Sequence, residues 1–259
     1  MRVRVAVPND ELLTPLFSSP PPADVELMLT SPEDCAQLLA TNRVDVALLS
    51  PLAYGHAGAT TEYRIIPASA LALEGYTERV WLYFRPSVRT LRRCAVPSRT
   101  HFLTHALRLL LLELYDLDPE LIVRPGQTVA QALTDADAVL SWHEDFSTLH
   151  RLDLSEEWYT AFEHPLVLGF WVCRGEELPA QLPDLLLQLA APGLPEAEAV
   201  VECVEPRPTP ALPARRGQLY WRWSTTLSEA LHETLTLLYY HGLVPHLREV
   251  TLWNADSSS

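Results

Sequence analysis

The chain has 259 residues, which is enough for one large domain or for two smaller ones with well-buried cores. Hydrophobic residues make up 48% of the chain, and 33 acidic residues outnumber 19 basic ones, giving a formal net charge of −14. Because this charge repels polyanions, it argues against nucleic acid and against an anionic membrane surface as partners.

All of the basic residues are arginines, and the sequence contains no lysine. The protein therefore lacks a Schiff-base lysine, an anchor for pyridoxal phosphate and the lysine of a P-loop. Arginine presents a planar fork of N–H donors that matches a carboxylate. We expect an anionic ligand to be held by arginine or by backbone N–H groups.

Four cysteines, Cys35, Cys94, Cys173 and Cys203, are widely separated and form neither a CxxC pair nor a Cys/His ligand pattern. We expect buried free thiols. The N-terminal stretch has no apolar signal-peptide region, and no segment approaches the roughly 20 apolar residues of a membrane span. These features predict a cytoplasmic protein with no membrane partner.

The first fifty residues predict two strands, a helix and a third strand. Residues 2–7 alternate between apolar and polar side chains, and residues 24–29 form a second short apolar segment. Ser31 and the acidic residues after it predict the start of a helix, and residues 44–51 read as a buried strand. This order is typical of an open α/β sheet, which binds ligands at the carboxyl ends of its strands.

The middle of the chain predicts a second α/β unit, because strands and helices alternate between residues 92 and 142. The predicted strands are residues 63–73, 78–84, 92–97, 120–124 and 136–142, and the predicted helices are residues 99–115 and 128–135. Residues 164–174 are continuously apolar, which is typical of a strand buried on both faces. That strand can return the chain to the first unit.

The last third predicts a helix at residues 182–191, a Pro-rich linker in the second half of residues 192–217 and a long amphipathic helix that ends at Gly242. We expect the tail from Asn254 onward to be frayed. The fold class is α/β.

The segment Ser98-Arg99-Thr100 follows a predicted strand and opens a predicted helix. Its hydroxyl groups, its guanidinium and the free N–H groups of the helix start are all donors that favour an anion such as a carboxylate. The alternative is that Ser98 only caps the helix and that Arg99 is a solvated surface residue.

His143 and Glu144 directly follow the predicted strand that ends at residue 142, so they are expected near Ser98 if the two strands are neighbours. His143 is a candidate general acid or base, although a histidine in a polar loop is more often exposed or structural. Asn9 and Ser50 end two strands of the first unit and are candidates to meet the same ligand. Asn9 is also an ordinary turn residue after Pro8.

His101 and His105 are four residues apart and share a helix face, which is compatible with a metal ion. No glutamate follows His101 as the zincin pattern requires, and no acidic ligand lies between the two histidines. We therefore expect no metal site. The sequence also lacks the GxSxG and GxGxxG patterns of common hydrolases and dinucleotide-binding proteins.

Three stretches carry a family resemblance: "VDVALLS" (residues 44–50), "VPSRTH" (residues 96–101) and "DLSEEWYTAFEHPLVLGFW" (residues 153–171). In order and spacing they resemble the chorismate dehydratase family of the futalosine route to menaquinone. The resemblance runs from about residue 2 to residue 178 and resumes more weakly at residues 219–244.

The resemblance implies a two-lobed type 2 periplasmic-binding-protein-like fold with a ligand cleft between the lobes. Lobe 1 would comprise residues 1–84 and 174–259, and lobe 2 would comprise residues 85–173. The two crossing strands would lie near residues 81–84 and 170–173. The fold itself does not imply export.

The resemblance also implies the reaction, which is loss of water from chorismate to give 3-[(1-carboxyvinyl)oxy]benzoate without a metal or organic cofactor. The product ring is aromatic, so orientation and charge neutralisation can supply much of the catalysis. The catalytic candidates are Asn9 and His143, and the substrate-binding candidates are Ser50, Ser98, Arg99, Thr100 and Glu144. The expected partner is a small carboxylate, and a homodimer is left open.

Several positions depart from the family pattern. Leu12 stands where the family has an asparagine, Glu74-Gly75 replaces a Ser-Asp-Gly stretch, and Arg79 replaces a serine. The runs "PND" and "HE" instead resemble the sister 1,4-dihydroxy-6-naphthoate synthase family, in which a histidine at the position of His143 is the proposed base. Two alternatives therefore stand beside the dehydratase: this naphthoate synthase, and a non-catalytic solute-binding paralogue for a small carboxylate.

Overall fold

The structure is a computed structural model that describes residues 2–57, 61–143, 148–175, 178–203 and 213–254. The described residues form strands β1 (Val3–Pro8), β2 (Val25–Thr30), β3 (Val46–Leu49), β4 (Tyr63–Gly75), β5 (Trp81–Phe84), β6 (Arg93–Val96), β7 (Glu120–Val123), β8 (Ala138–Ser141), β9 (Arg151–Asp153), β10 (Leu166–Arg174), β11 (Ala197–Val201) and β12 (Arg216–Arg222). Their helices are α1 (Pro32–Ala40), α2 (Pro51–Gly55), α3 (Phe102–Tyr115), α4 (Val129–Ala132), α5 (Leu154–Phe162), α6 (Leu182–Leu189) and α7 (Thr225–Tyr240), with a short 3-10 turn at Thr14–Leu16. The α/β prediction is confirmed.

The chain divides into two compact units. Unit 1 comprises residues 1–72, 167–198 and 220–259, and unit 2 comprises residues 73–166 and 199–219. The chain therefore passes from unit 1 to unit 2 inside β4, returns at the start of β10, and enters unit 2 again for residues 199–219. β5 pairs within the sheet of unit 2, and β10 pairs with β3.

A seven-stranded sheet, built mainly by unit 1, has the order β11-β12-β4-β10-β3-β1-β2. β1 runs parallel to both β2 and β3, with Val5 opposite Val46 and Ala6 opposite Ala47. Ser31 caps α1 by accepting a hydrogen bond from the Asp34 N–H, as the sequence predicts. Because β1 and β3 are parallel neighbours, their carboxyl ends lie at the same edge of the sheet.

β10 lies antiparallel to β3, and its first eight residues are all buried. This confirms the prediction of a strand covered on both faces that returns the chain to the first unit. The Trp171 indole N–H donates to the Ser69 hydroxyl over 2.9 Å, so the largest buried polar group of the strand is satisfied. The Phe170 ring meets the Tyr54 ring edge-on, with 5.5 Å between centroids.

The five-stranded sheet of unit 2 has the order β7-β6-β8-β5-β9. β6 is parallel to β7 and β8, whereas β5 is antiparallel to β8 and β9. A hydrophobic cluster packs on it, consisting of Tyr76, Trp81, Tyr83, Ala95, Ile122, Val129, Ala132, Leu133, Ala136 and Val139.

Two predictions about single residues are tested directly. Gly242 has a φ of 66° just after the His241 C-cap, which confirms it as the residue that ends α7. The expectation of buried thiols is confirmed for Cys35, Cys94 and Cys173 but is wrong for Cys203, which is exposed because it follows β11 at the surface. Residues 204–212 of the Pro-rich segment and residues 255–259 of the tail lie outside the described residues.

Candidate functional site

The polar segments after β6 and β8 lie at one edge of the sheet of unit 2. These two strands are parallel neighbours, with Cys94 opposite Ala138 and Ala95 opposite Val139. Continued along both strands, this register places Ser98 level with Trp142, directly before His143. The expectation that His143 would lie near Ser98 rested on the strands being neighbours, and they are.

A cavity of about 500 Å³ opens at this edge, and we call it the carboxyl-edge cavity. Its apolar walls come from the last residues of β6 and β8 and from α4. Its polar lining residues are Arg124, Gln127, Thr128, Ser141 and His143. A concave apolar surface with a few convergent polar groups is the usual form of a small-molecule site.

His143 is exposed and lines the cavity, and its backbone N–H donates to the Ser141 hydroxyl over 3.3 Å. The Trp142 ring lies beside it, 6.0 Å away between centroids. A histidine that lines a cavity is a candidate for proton transfer to or from a ligand. Glu144, the other predicted residue of this loop, lies outside the described residues.

The Ser98-Arg99-Thr100 segment forms a turn before helix α3. The Ser98 and Thr100 hydroxyl oxygens are 2.9 Å apart, the Thr100 N–H donates to the Ser98 hydroxyl, and the Thr104 hydroxyl donates to the Ser98 carbonyl over 2.7 Å. The expected helix start at Arg99 is wrong, because α3 begins at Phe102 with His101 as its N-cap. Ser98 therefore does not cap the helix, and local hydrogen bonds hold it instead.

The Arg99 guanidinium donates to the Leu121 carbonyl over 3.1 Å, and Arg99 is exposed. Leu121 belongs to β7, which is the outermost strand of this sheet among the described residues. The described residues that line the carboxyl-edge cavity do not include Ser98, Arg99 or Thr100. The segment shares the edge with the cavity but forms none of its wall.

Arg124 is the first residue after β7 and lines the cavity, although no sequence pattern marks it as a site residue. Its guanidinium donates to the Val123 carbonyl over 3.0 Å and pairs closely with Asp135. The hydrogen bond from Arg124 holds the pKa of Asp135 below its ordinary value. The only signal in the sequence was a basic residue at the end of a predicted parallel strand, followed by a Pro-Gly turn.

In unit 1, Asn9 and Ser50 follow β1 and β3, and the parallel register continued past these strands places them level with each other. Asn9 is exposed, and its backbone N–H donates to the Thr30 carbonyl over 2.7 Å. The Ser50 hydroxyl accepts from the Ala53 N–H and so caps α2. The two predicted residues of unit 1 thus share one sheet edge.

The turn after Asn9 is held by Asp10, whose Oδ1 accepts from the Leu12 N–H over 3.0 Å. This is an Asx turn, as expected for polar residues that follow a proline. Leu12 stands where the resemblance leads us to expect an asparagine, and its neighbour Leu13 is buried against Gly169. An added Cβ at Gly169 would lie 2.7 Å from the Leu13 side chain.

Within the described ranges, no three His, Cys, Asp or Glu side chains come together as metal ligands would. The same part of the chain contains no helix long and apolar enough to cross a bilayer.

The fold places this chain in the class of type 2 periplasmic-binding-protein-like α/β proteins. It is similar to the periplasmic aliphatic sulphonate binding protein SsuA from Escherichia coli, with a TM-score of 0.53 and 11% identity over 98% of this chain and 92% of that one. It is also similar to protein AF1704 from Archaeoglobus fulgidus, with a TM-score of 0.52 and 20% identity over 93% of this chain and 78% of that one. At these identities the likeness concerns the fold alone.

The sequence model of the menaquinone biosynthesis family matches residues 3–239, and the chain belongs to that family. The resemblance drawn from the sequence is confirmed at this level, and a role in menaquinone biosynthesis follows from it. No protein with a curated description matches the sequence.

Proposed function

We propose that the protein is a chorismate dehydratase, a carbon-oxygen lyase that removes water from chorismate to give 3-[(1-carboxyvinyl)oxy]benzoate. The observation that carries the proposal is the carboxyl-edge cavity, which combines an apolar wall, the Arg124 guanidinium and the His143 imidazole. The dehydratase-like stretches at residues 44–50 and 153–171 support this reaction over its relatives.

Arg124 is the group best suited to hold a carboxylate of the substrate. The chain carries a net charge of −14, so a dianionic substrate needs a local positive charge in order to bind. The Val123 carbonyl and Asp135 hold the guanidinium of Arg124, which lines the cavity. Arg99 adds a second guanidinium at the same sheet edge, and Ser98 and Thr100 add hydroxyl donors.

In the reaction a C–H bond breaks at the ring carbon that carries the ether, and the C–O bond to the neighbouring hydroxyl breaks as water leaves. The ring becomes aromatic, and the balance needs no oxidant or reductant. His143 is assigned the proton transfer. Asn9 is assigned the polarisation of the leaving hydroxyl, and Ser50 and Glu144 are assigned to substrate binding. The roles of Asn9 and His143 are proposed from their places after β1 and β8, because the runs that contain them resemble the sister family rather than the dehydratases.

The test is incubation of the purified chain with chorismate, followed by chromatography and mass spectrometry. A product lighter than chorismate by one water supports the proposal. Spontaneous rearrangement of chorismate keeps its mass, so it is separated from the enzymatic product by that difference. The matched control is Arg108→Gln, which removes a guanidinium on the surface of α3 that pairs with Asp118. Its turnover should equal that of the natural sequence.

A second candidate is the 1,4-dihydroxy-6-naphthoate synthase, and the position of His143 at the cavity favours it. If the protein is this synthase, chorismate should be inert and cyclic dehypoxanthine futalosine should be consumed. The substitution His143→Gln should then abolish that consumption. A chain that is stabilised against heat by chorismate but turns over neither compound would instead be a solute-binding paralogue.

A further inference from the structure

A second cavity, about 260 Å³ in volume, lies in unit 2 at the opposite end of the five-stranded sheet. Phe84 of β5 lines it and pairs with Ala138, the first residue of β8, whereas Ser141 at the far end of β8 lines the carboxyl-edge cavity. Leu91 and Leu117, which lie just before β6 and β7, also line it. We call it the amino-edge cavity, and it is separate from the site proposed for the reaction.

Leucine side chains from the sheet and from two helices form most of the walls. Leu82 comes from β5, Leu110 and Leu111 come from α3, and Leu154 comes from α5. All four are buried. A space lined in this way gives water few hydrogen-bond partners and leaves its wall atoms without dispersion contacts on one side. An apolar molecule of matching shape restores those contacts.

The polar residues of this lining are Arg89 and Thr90 on the exposed loop after β5, together with a hydrogen-bonded pair, Tyr115 and Glu157. The Tyr115 hydroxyl at the end of α3 donates to Glu157 Oε2 of α5 over 2.6 Å. Burial raises the pKa of Tyr115 to about 12, and the hydrogen bond to Glu157 acts in the same direction, so the phenol stays neutral. A carboxylate accepts several hydrogen bonds, and Glu157 can take another from a ligand hydroxyl.

Size and charge define the ligand. An engineered apolar cavity of about 150 Å³ binds benzene, so a cavity of the present size has room for a second fused ring. The formal charges of Arg89 and Glu157 in the cavity wall offset each other, and the chain as a whole is strongly negative, so an acidic ligand finds no net positive charge there. We propose that the amino-edge cavity binds an uncharged aromatic molecule of two fused rings with one hydroxyl group, which donates to Glu157.

The experiment is a titration of the full chain with 2-naphthol, followed by naphthol fluorescence, with 2-naphthoate as the charged comparison. We expect saturable binding of one molecule per chain and at least tenfold weaker binding of 2-naphthoate. Absence of saturation, or naphthoate binding as tight as that of naphthol, would overturn the proposal.

Two variants locate the binding. Leu111→Phe fills the cavity from α3, and Val88→Phe fills it from the half-buried loop after β5, where a larger side chain disturbs the core less. We expect both to weaken 2-naphthol at least tenfold. The thermal transition of each variant shows whether it is folded. If a folded variant binds 2-naphthol as tightly as the natural chain, the binding site lies elsewhere and the assignment is refuted.

Glu157→Met tests the hydrogen bond. The natural chain should bind 2-naphthol several-fold more tightly than naphthalene, and this preference should disappear in the variant while naphthalene still binds. A preference that survives the substitution would show that Glu157 does not accept from the hydroxyl. The outcome is independent of whether the protein turns over chorismate.

Discussion

The imidazole ring of His101 is stacked on the indole ring of Trp142, with 4.4 Å between the ring centroids and 24° between the ring planes. His101 also caps helix α3, because its Nδ1 accepts from the Leu103 N–H over 3.2 Å. Trp142 follows β8 and directly precedes His143. The stacked rings therefore bring the segment after β6 into contact with the segment after β8, beside the carboxyl-edge cavity.

His101→Ala should lower the free energy of unfolding by about 1–2 kcal/mol, since it removes both a helix cap and an aromatic contact. It should also raise the half-saturating chorismate concentration, because Trp142 and His143 lose a neighbour that orders them. Urea denaturation and steady-state kinetics measure the two effects. His105→Ala, one turn further along α3, is the control, and equal effects from both variants would contradict a special role for the stack.

Arg124→Gln should raise the half-saturating chorismate concentration by about 10- to 100-fold, the cost of losing a charge-assisted hydrogen bond, with a smaller change in kcat. Arg99→Ala should raise it as well, but by less, since Arg124 lines the cavity and Arg99 donates to the Leu121 carbonyl. Steady-state kinetics of both variants, with Arg108→Gln as the control, show which substitution raises the half-saturating chorismate concentration more. An unchanged value for either variant removes that arginine from the site.

The Asp45 carboxylate, which lies in unit 1, should make the free energy of unfolding depend on pH. Burial alone would raise its pKa, but the Arg4 backbone N–H, at 2.7 Å, and the Arg4 guanidinium, at 2.6 Å, donate to the carboxylate and hold the pKa below its ordinary value. The stabilisation is therefore fully present above the ordinary pKa of an aspartate and is lost as the pH falls through the lowered value.

Asp45→Asn should lower the free energy of unfolding at pH 7 by about 1 kcal/mol, a modest figure because the Arg4 side chain is 43% exposed. The difference from the natural chain should shrink as the pH falls into the acid range. Urea denaturation at a series of pH values measures it, with Asp24→Asn at an exposed position as the control. A difference that stayed constant with pH would rule out the carboxylate as its source.

One thiol should react quickly with a disulfide reagent in the folded chain. Cys203 is exposed, whereas burial raises the pKa of the Cys35 and Cys94 thiols to about 12, and Cys173 is buried as well. A thiolate is the reactive species, so the three buried residues should react only after unfolding. Colorimetric titration at pH 8 should count one fast thiol, which Cys203→Ser removes. A fast phase remaining in that variant would contradict the burial of the others.

Local patterns in the sequence were sufficient to predict most of the elements. The continuous apolar run that became β10 and the Ser31 cap of α1 are read from neighbouring residues alone. The start of α3 was misplaced because the Ser98 and Thr100 hydroxyl groups share a hydrogen bond and the Ser98 carbonyl accepts from the Thr104 hydroxyl, an arrangement that competes with the helix. The cap at His101 depends on a histidine nitrogen, which is a rarer acceptor at that position than a hydroxyl or carboxylate.

The candidate site, like the fold, could be predicted from the sequence only in part. Ser98 and His143 share a sheet edge because each follows a parallel strand, and that follows from the order of elements. Arg124 was missed because a single arginine after a strand has no signature, and its place at the cavity depends on the packing of β7 beside β6 and on the pair with Asp135. The cavity itself results from packing among residues far apart in the sequence.

Gly217 lies where β12 passes the end of β4 at very close range. A Cβ at this position would lie 2.1 Å from the Tyr76 carbonyl oxygen and 2.5 Å from that of Glu74, so the backbone would have to move. The Tyr76 N–H donates to the Arg216 carbonyl over 3.0 Å, and the same movement would stretch that bond. Gly217→Ala should therefore lower the free energy of unfolding by about 1–3 kcal/mol. Gln218→Ala, the next residue of the strand, should change it by much less, and equal losses in the two variants would mean that the close approach is relaxed in solution.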